Sequence, residues 1–255
     1  MKKILVLNSG SSSLKFQLFD LPGLETAATG LVENIGRTGT ARIVYPEKGR
    51  DGKSMERSVS AGDHRDAIRI MAELLRESQE LNDISELSAI GHRVVHGGEY
   101  FRKPVVIDEK VISAIKDLIP LAPLHNPANL MGIQVALEHA PDIPQVAVFD
   151  TAFHQSIPEH AYLYALPCKI YEDYRVRRYG FHGTSHGFVA GKAADFLGHL
   201  LEDLNIITLH LGNGASAAAI HRGACLDTSI GFTPLEGLIM GTEAETSILQ
   251  SCSIS

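Results

Sequence analysis

Residues 2–20, KKILVLNSGSSSLKFQLFD, decide how this chain is read. An apolar run, Ile4–Leu7, meets a Gly/Ser turn and then a second run, Leu14–Phe19, which is the pattern of strand, tight loop, strand. Residues 204–223, LNIITLHLGNGASAAAIHRG, repeat it. Set side by side without gaps, Gly10 falls on Gly214, Ser12 on Ser216 and Phe16 on Ile220. Duplication of one lobe would produce this echo. The loop composition has a chemical reading too. Glycine and serine let backbone N–H groups approach an anion, hydroxyls add donors, and Lys15 supplies a point charge. The Walker pattern is absent, and an ordinary hairpin turn has the same composition, so the loops alone leave both readings open.

Working outward, ARIVYP (41–46) is further β-rich text, and DAIRIMAELLRES from Asp66 places Ile68, Met71, Leu74 and Leu75 on one helical face. LSAIGHRVVHGG (87–98) is a short buried strand running into glycines. Helices are expected over 108–118 and 127–138, with Asn126 as N-cap of the second and Pro127 at its first position. PQVAVFD (144–150) is a buried strand ending in an acid. Hairpins followed by alternating helices and strands make an α/β domain over residues 1–150. A second run follows, with an amphipathic helix in SHGFVAGKAADFLGHL (185–200) before the second hairpin.

The chain has 255 residues, 44% apolar and 21% charged, as in soluble globular proteins, and a net charge of −7. That charge gives no reason to expect a nucleic-acid or acidic-membrane partner. Cys168, Cys225 and Cys252 show no metal or redox spacing and are expected as free thiols. The apolar run after MKK is too short for a signal peptide, and no stretch reaches membrane-spanning length, so a cytoplasmic location is expected.

Arg93 follows a buried-looking strand, and the glycines after it would expose its guanidinium fork to a carboxylate or phosphate; a surface salt bridge is the plain alternative. His125 and His182 sit among turn formers, as donors to a phosphoryl group or simply as loop histidines. Asp150 ends an apolar strand, where α/β proteins place catalytic groups and also caps. Together these are the parts of phosphoryl transfer to a carboxylate: phosphate cradles, cationic clamps, donors and a carboxylate.

The motifs NSGSSSLKFQLFD, HRVVHGGEYF, LHNPANL, FDTAFHQSIP, YGFHGTSH, HLGNGAS and DTSIGFTPLEGLIMGT resemble, in order and spacing, the acetate kinase family, from Met1 to about Thr242. The resemblance implies the duplicated ribonuclease-H-like α/β fold of the sugar kinase, Hsp70 and actin group. The first lobe would be 1–150 and a truncated second lobe 151–242. It implies reversible transfer of the ATP γ-phosphoryl to acetate, giving acetyl phosphate and ADP, in a cytoplasmic homodimer that uses magnesium. A kinase for propionate or butyrate, or a non-catalytic binding remnant, are the alternatives. Matched position by position, Asn8 is the magnesium-associated residue, and Ser11, Ser13 and Lys15 are first-lobe phosphate contacts. Arg93 clamps the acetate carboxylate, while Val95, Leu124, Phe181 and Pro234 form the methyl pocket. Asp150 is the catalytic carboxylate, His182 stabilises the transition state and His125 is a further active-site histidine. His210, Leu211, Gly212, Asn213 and Gly214 form the second phosphate loop.

The resemblance breaks after Met-Gly-Thr. The family continues Arg-Ser-Gly-Asp-Ile-Asp-Pro-Ala or close to it; this chain continues EAETSILQ (243–250). Written as CGA AGC GGA GAC ATC GAT CCT GCA and stripped of its first base, the family text becomes GAA GCG GAG ACA TCG ATC CTG CA, which spells Glu243 to Leu249 and then Gln250 if a purine follows. A one-nucleotide deletion near codon 243 is therefore expected, with 243–255 a disordered out-of-family tail and Glu243 standing where the family has an arginine.

Overall fold

The computed structural model describes residues 2–37, 39–46 and 54–241; the tail at 243–255, with Glu243 and Cys252, lies outside the described residues. Two compact units emerge: residues 1–96 with 104–148, and residues 97–103 with 149–255.

The first unit contains β1 (Lys3–Ser9), β2 (Ser13–Asp20), β3 (Glu25–Glu33), β4 (Arg42–Pro46), β5 (Ser54–Ser58), α1 (His64–Glu77), β6 (Leu87–Val94), β7 (Val105–Val106), α2 (Glu109–Asp117), α3 (Asn126–His139) and β8 (Gln145–Phe149). The strands form one sheet in the order β5-β4-β3-β2-β1-β6-β8-β7. An antiparallel meander, β1 to β5, is thus extended on the far side of β1 by β6, which runs parallel to it. Period-two alternation sends Leu5 and Leu7 of β1, Leu14, Phe16 and Leu18 of β2 and Val32 of β3 to one face. There they meet Ile68, Met71, Leu74 and Leu75 of α1, the residues whose spacing marks that helix. Asp63 caps α1 and Asp108 caps α2, each side chain accepting from first-turn N–H groups.

Strand β3 is packed through its glycine. A Cβ at Gly30 would lie 2.3 Å from Phe16 Cζ, so the absence of a side chain there is what seats the Phe16 ring.

Asn126 does not cap α3. The helix begins at Asn126 itself, with His125 as the flanking residue and no side-chain cap. The Asn126 amide instead accepts from His96 N (3.1 Å) and donates to His96 O (3.1 Å). One turn on, Asn129 accepts from Val95 N (2.9 Å) and donates to Ser9 O (2.6 Å). Two buried asparagines of LHNPANL therefore lock the chain after β6 and the end of β1. Asn129→Ala would orphan two buried backbone groups at about 1–3 kcal/mol each. Urea unfolding of the variant is expected to show a loss of about 3 kcal/mol; a loss under 1 kcal/mol would show that these bonds are not structural.

The second unit contains two short helices, α4 (Glu159–Tyr162) and α5 (Cys168–Tyr174), then α6 (Gly183–Leu197), β9 (Asn205–Leu211), β10 (Ala215–His221) and β11 (Ala224–Thr228). The strands form an antiparallel sheet in the order β11-β10-β9. One face holds Ala218, Ile220 and Cys225 against Ile157 and Ala190. The segment 97–103 is tied in by Glu99, which accepts from Arg177 Nη1 (3.0 Å) and Tyr171 OH (2.8 Å). The buried Arg177 guanidinium stacks 3.7 Å above the Tyr162 ring. Cys168 is exposed, Cys225 is buried, and both are free thiols.

Three expectations change. Helix α6 forms, but its apolar residues do not segregate: small Ala190 and Ala194 are buried, while Phe188 and Phe196 face outward. The ungapped match of the two hairpins fails in register, because Phe16 lies opposite Leu7 whereas Ile220 lies opposite Ile206, across a shorter turn. The glycines after Arg93 do not serve to expose it. Gly97 and Gly98 are buried, and a Cβ at Gly97 would lie 2.8 Å from the Phe149 ring, so that glycine serves close packing. Among the described residues no helix is long and apolar enough to cross a membrane.

Candidate active site

In the first unit the hairpin between β1 and β2 carries Asn8, Ser11, Ser13 and Lys15. Asn8 and Lys15 are cross-strand partners, and the Lys15 side chain is exposed. The loop is held by its carbonyls: Ser9 O takes Asn129 Nδ2, Gly10 O lies 2.6 Å from His64 Nε2, Ser12 O takes Ile35 N and Ser13 O takes Gly10 N. Drawing the carbonyls into the protein keeps their negative ends bound and away from an approaching anion. Arg93, half-buried near the end of β6, brings Nη1 to 3.4 Å from Asn8 Oδ1. Val95 is buried just beyond β6, while Leu124 and His125 are exposed on the turn entering α3.

Magnesium was expected at Asn8. Its amide oxygen is a suitable hard donor, but the Arg93 guanidinium already stands beside it. Among the described residues no group of three or more His, Cys, Asp or Glu side chains could hold an ion. One neutral oxygen facing a cation does not meet the octahedral oxygen demand of Mg²⁺, so these residues do not by themselves fit a resident ion.

In the second unit three separated stretches meet, around Asp150, His182 and the 210–214 loop. Asp150 follows β8 and is buried; its carbonyl accepts from Gly183 N at 2.8 Å. A Cβ at residue 183 would lie 2.4 Å from that oxygen, so only glycine permits the junction. The residue before it, His182, adopts φ 59, a left-handed conformation that costs a non-glycine residue energy and recurs at functional sites. Its ring stacks on His210 at 4.1 Å and 22°. The loop glycine Gly214 lets the hairpin backbone close on this pair, since a Cβ there would sit 2.9 Å from His182 Cε1. Phe181 is buried, and its carbonyl lies 2.9 Å from His154 Nε2. Pro234 opens a short turn, 234–236, secured by Glu236, which accepts from Phe232 N (2.8 Å) and from the Tyr164 hydroxyl. Leu211, Gly212 and Asn213 lie exposed at the hairpin end, where Asn213 O accepts from Gly241 N (3.1 Å).

Behind His182 runs a relay that the sequence motifs do not announce. His182 Nδ1 lies 2.8 Å from Ser216 Oγ, which lies 2.8 Å from His186 Nε2, and His186 Nδ1 lies 2.7 Å from Thr208 Oγ1. His186, Ser216 and Thr208 are buried. Burial, with a smaller contribution from His210, holds His186 down at about 4, so it is neutral near pH 7 and carries one ring proton. If Thr208 donates to His186, each later bond points the same way and His182 receives its Nδ1 bond, leaving the proton on Nε2. Ring ¹⁵N shifts are expected to show His182 as the Nε2–H tautomer at pH 7.5, with Ser216→Ala erasing that preference. An Nδ1–H tautomer in the parent chain would reverse the relay. The signal available in the sequence was slight: YGFHGTSH spaces His182 and His186 one helical turn apart.

Comparison with known proteins places these features. The profile of the Acetokinase family matches residues 3–247. The acetate kinase of Thermotoga maritima is 52% identical over 244 residues, 95% of this chain and 60% of that protein. That of Streptomyces coelicolor is 55% identical over 244 residues, 95% of this chain and 59% of that one. Among solved structures, the Porphyromonas gingivalis acetate kinase aligns with a TM-score of 0.90 and 41% identity, covering 100% of this chain and 65% of that one. A Francisella tularensis propionate kinase aligns with a TM-score of 0.87 and 40% identity, covering 100% and 66%. The chain spans about 60% of the length of the curated relatives it matches. By sequence and by fold, this chain belongs to the acetokinase family, with the mixed α/β architecture of its solved members.

Proposed function

We propose that this sequence encodes the acetate-binding and phosphoryl-contacting part of an ATP:acetate phosphotransferase. The observation that carries the reading is the gathering of Asp150, His182, His210 and Gly214, drawn from three motifs, in one unit of an acetokinase-family chain. A carboxylate oxygen of acetate attacks the γ-phosphorus; the new P–O bond forms as the bond to the β,γ-bridging oxygen breaks, and ADP leaves with that electron pair. No proton has to move between the reactants, so positioning and charge stabilisation supply the rate. The family resemblance assigns the carboxylate to Arg93, the methyl group to Val95, Leu124, Phe181 and Pro234, and a further active-site role to His125. His182 donates from Nε2 to the transferring group, Asp150 is the catalytic carboxylate, and Ser11, Ser13, Lys15 and the 210–214 loop contact phosphate. The protein works in the cytoplasm as a homodimer, magnesium arriving with the nucleotide as part of the substrate.

The propionate kinase structure, with a TM-score of 0.87, favours propionate as the second acceptor to test. One extra methylene changes selectivity by only about 1–3 kcal/mol. Saturation-transfer NMR of the 255-residue chain is expected to show acetate binding that Arg93→Ala weakens at least tenfold. Equal binding to parent and variant would remove Arg93 from the site.

A further inference from the structure

His154 is fully buried in the short turn Phe153–Ser156, and the proposed mechanism gives it no task. Its Nε2 lies 2.9 Å from Phe181 O and its Nδ1 lies 3.1 Å from Cys225 Sγ. The stretch 180–183 is moulded on this ring. A Cβ at Gly180 would lie 2.7 Å from His154 Cδ2, and one at Gly183 would lie 3.3 Å from the same atom. The rings of Phe153 and His186 stand edge-on to it at 5.7 and 5.8 Å. Ser156 Oγ donates to Cys225 O at 2.9 Å, which ties the turn to β11.

This geometry fixes which atoms carry protons. A carbonyl only accepts, so Nε2 is the donor to Phe181 O. Burial holds the ring down at about 4, so near pH 7 it has one proton and Nδ1 is a bare acceptor. Burial also pushes the Cys225 thiol up to about 12, so the sulfur keeps its hydrogen. Nδ1 is its nearer acceptor, with Asp227 O at 3.4 Å. A buried thiol in this state is inert as a nucleophile. It can still orient the ring beside it.

The Phe181 carbonyl belongs to the peptide plane that leads into His182. Rotating that plane is the motion that would take His182 from φ 59 back to the negative φ a non-glycine residue prefers. We propose that His154 is a positioning residue for His182: its Nε2–H pins the Phe181 carbonyl and so keeps His182 left-handed, and the Cys225 thiol, donating to Nδ1, keeps the ring in the tautomer that does this. The importance of that conformation for phosphoryl transfer rests on the function proposed above; the conformational claim does not.

The test is NMR of the full 255-residue chain with ¹⁵N-labelled histidines. At pH 7.5 the parent is expected to show His154 as the Nε2–H tautomer, with φ-sensitive couplings of His182 that report a positive φ. His154→Gln, whose amide can still donate to Phe181 O, is expected to keep His182 left-handed. His154→Leu, of similar size without a donor, is expected to lower the left-handed population about tenfold, the weight of one hydrogen bond. Cys225→Ala leaves the ring in place and is expected to raise the Nδ1–H fraction of His154 about tenfold, whereas Cys225→Ser, still a donor, keeps the parent tautomer. Should His154→Leu not fold, the two Cys225 variants decide. An Nδ1–H His154 in the parent, a folded His154→Leu chain with His182 still left-handed, a His154→Gln chain that loses that conformation, or a Cys225→Ala chain with an unchanged tautomer would each overturn the proposal. None of these readouts involves acetate or nucleotide, so failure here leaves the proposed function standing. Failure of the Arg93→Ala binding test likewise leaves this inference standing.

Discussion

The purified 255-residue chain is expected to form no acetyl phosphate from acetate and ATP, with a rate at least 10³-fold below that of the Thermotoga maritima relative, on the order of an arginine's contribution to phosphoryl transfer. The reason lies in one position. The resemblance implies an arginine acting on the transferring group at the position where this chain has Glu243. The transition state spreads negative charge over three equatorial oxygens, and an arginine directed at them is worth roughly 10³–10⁵ in rate, about 4–7 kcal/mol. A carboxylate in its place repels that charge. Asp150, His182 and Arg93 are all present, so acetate binding is expected to survive the loss of turnover. A hydroxamate assay detecting ATP-dependent acetyl phosphate at a rate within 10³-fold of the relative would refute this. Reading the DNA across codon 243 checks the origin of Glu243: re-insertion of one base is expected to restore Arg-Ser-Gly-Asp, and an intact frame would contradict the deletion.

Acid is expected to unfold the protein between pH 6.5 and 4. Burial holds His92, His96 and His154 down at about 4, and burial does the same for His186, against 6.5 when solvated. His92 bonds Gln145 at 2.8 Å, and His154 lies between Phe181 O and Cys225 Sγ; neither contact offsets the desolvation of a cation. Above pH 6.5 both folded and unfolded states hold these rings neutral, and the stability is fully present. As pH falls from 6.5 towards 4, the unfolded chain takes up protons that the folded chain refuses, and stability is lost. Each ring contributes roughly 3 kcal/mol when fully developed, at about 1.4 kcal/mol per pKa unit. His92 and His96 belong to the first unit and His154 and His186 to the second, so each unit stands to lose roughly 6 kcal/mol, against a domain stability of about 5–15 kcal/mol. Far-UV circular dichroism should show a midpoint near pH 5 with uptake of more than two protons. A fold unchanged at pH 4.5 would show that these rings are protonated in place.

How much of this was legible in the sequence depends on the range of the interaction. The hairpin β1–β2, the buried face of α1 and the strand leading to Asp150 are local patterns, and each stands where its spacing put it. Strand β3 was not legible: ETAATGLVE lacks apolar alternation, because its decisive residue is Gly30, a slot for Phe16 from the neighbouring strand. Strand β11, ACLDT, is too short and mixed to stand out. Asn126 reads as a cap because Asn before Pro usually is one; only the fold brings the His96 backbone within its reach. The departure of 97–103 from its sequence neighbours rests on Glu99 meeting Arg177, 78 residues away. The site shows the same divide. His182 and Gly214 were visible as motif residues, while Ser216 and His186 acquire meaning only when β10 and α6 set them 2.8 Å apart.

The reading to be tested is the proposed one, that residues up to 242 carry the acetate-binding and phosphoryl-contacting groups of an acetokinase. Joining residues 1–242 of this chain to the remaining C-terminal portion of the Thermotoga maritima acetate kinase tests it most directly. The chimera is predicted to make acetyl phosphate from acetate and ATP, and to lose at least 10²-fold in kcat/KM on Arg93→Ala and on Asp150→Ala. A folded, nucleotide-binding chimera that phosphorylates no short carboxylate, or one indifferent to both substitutions, would contradict it.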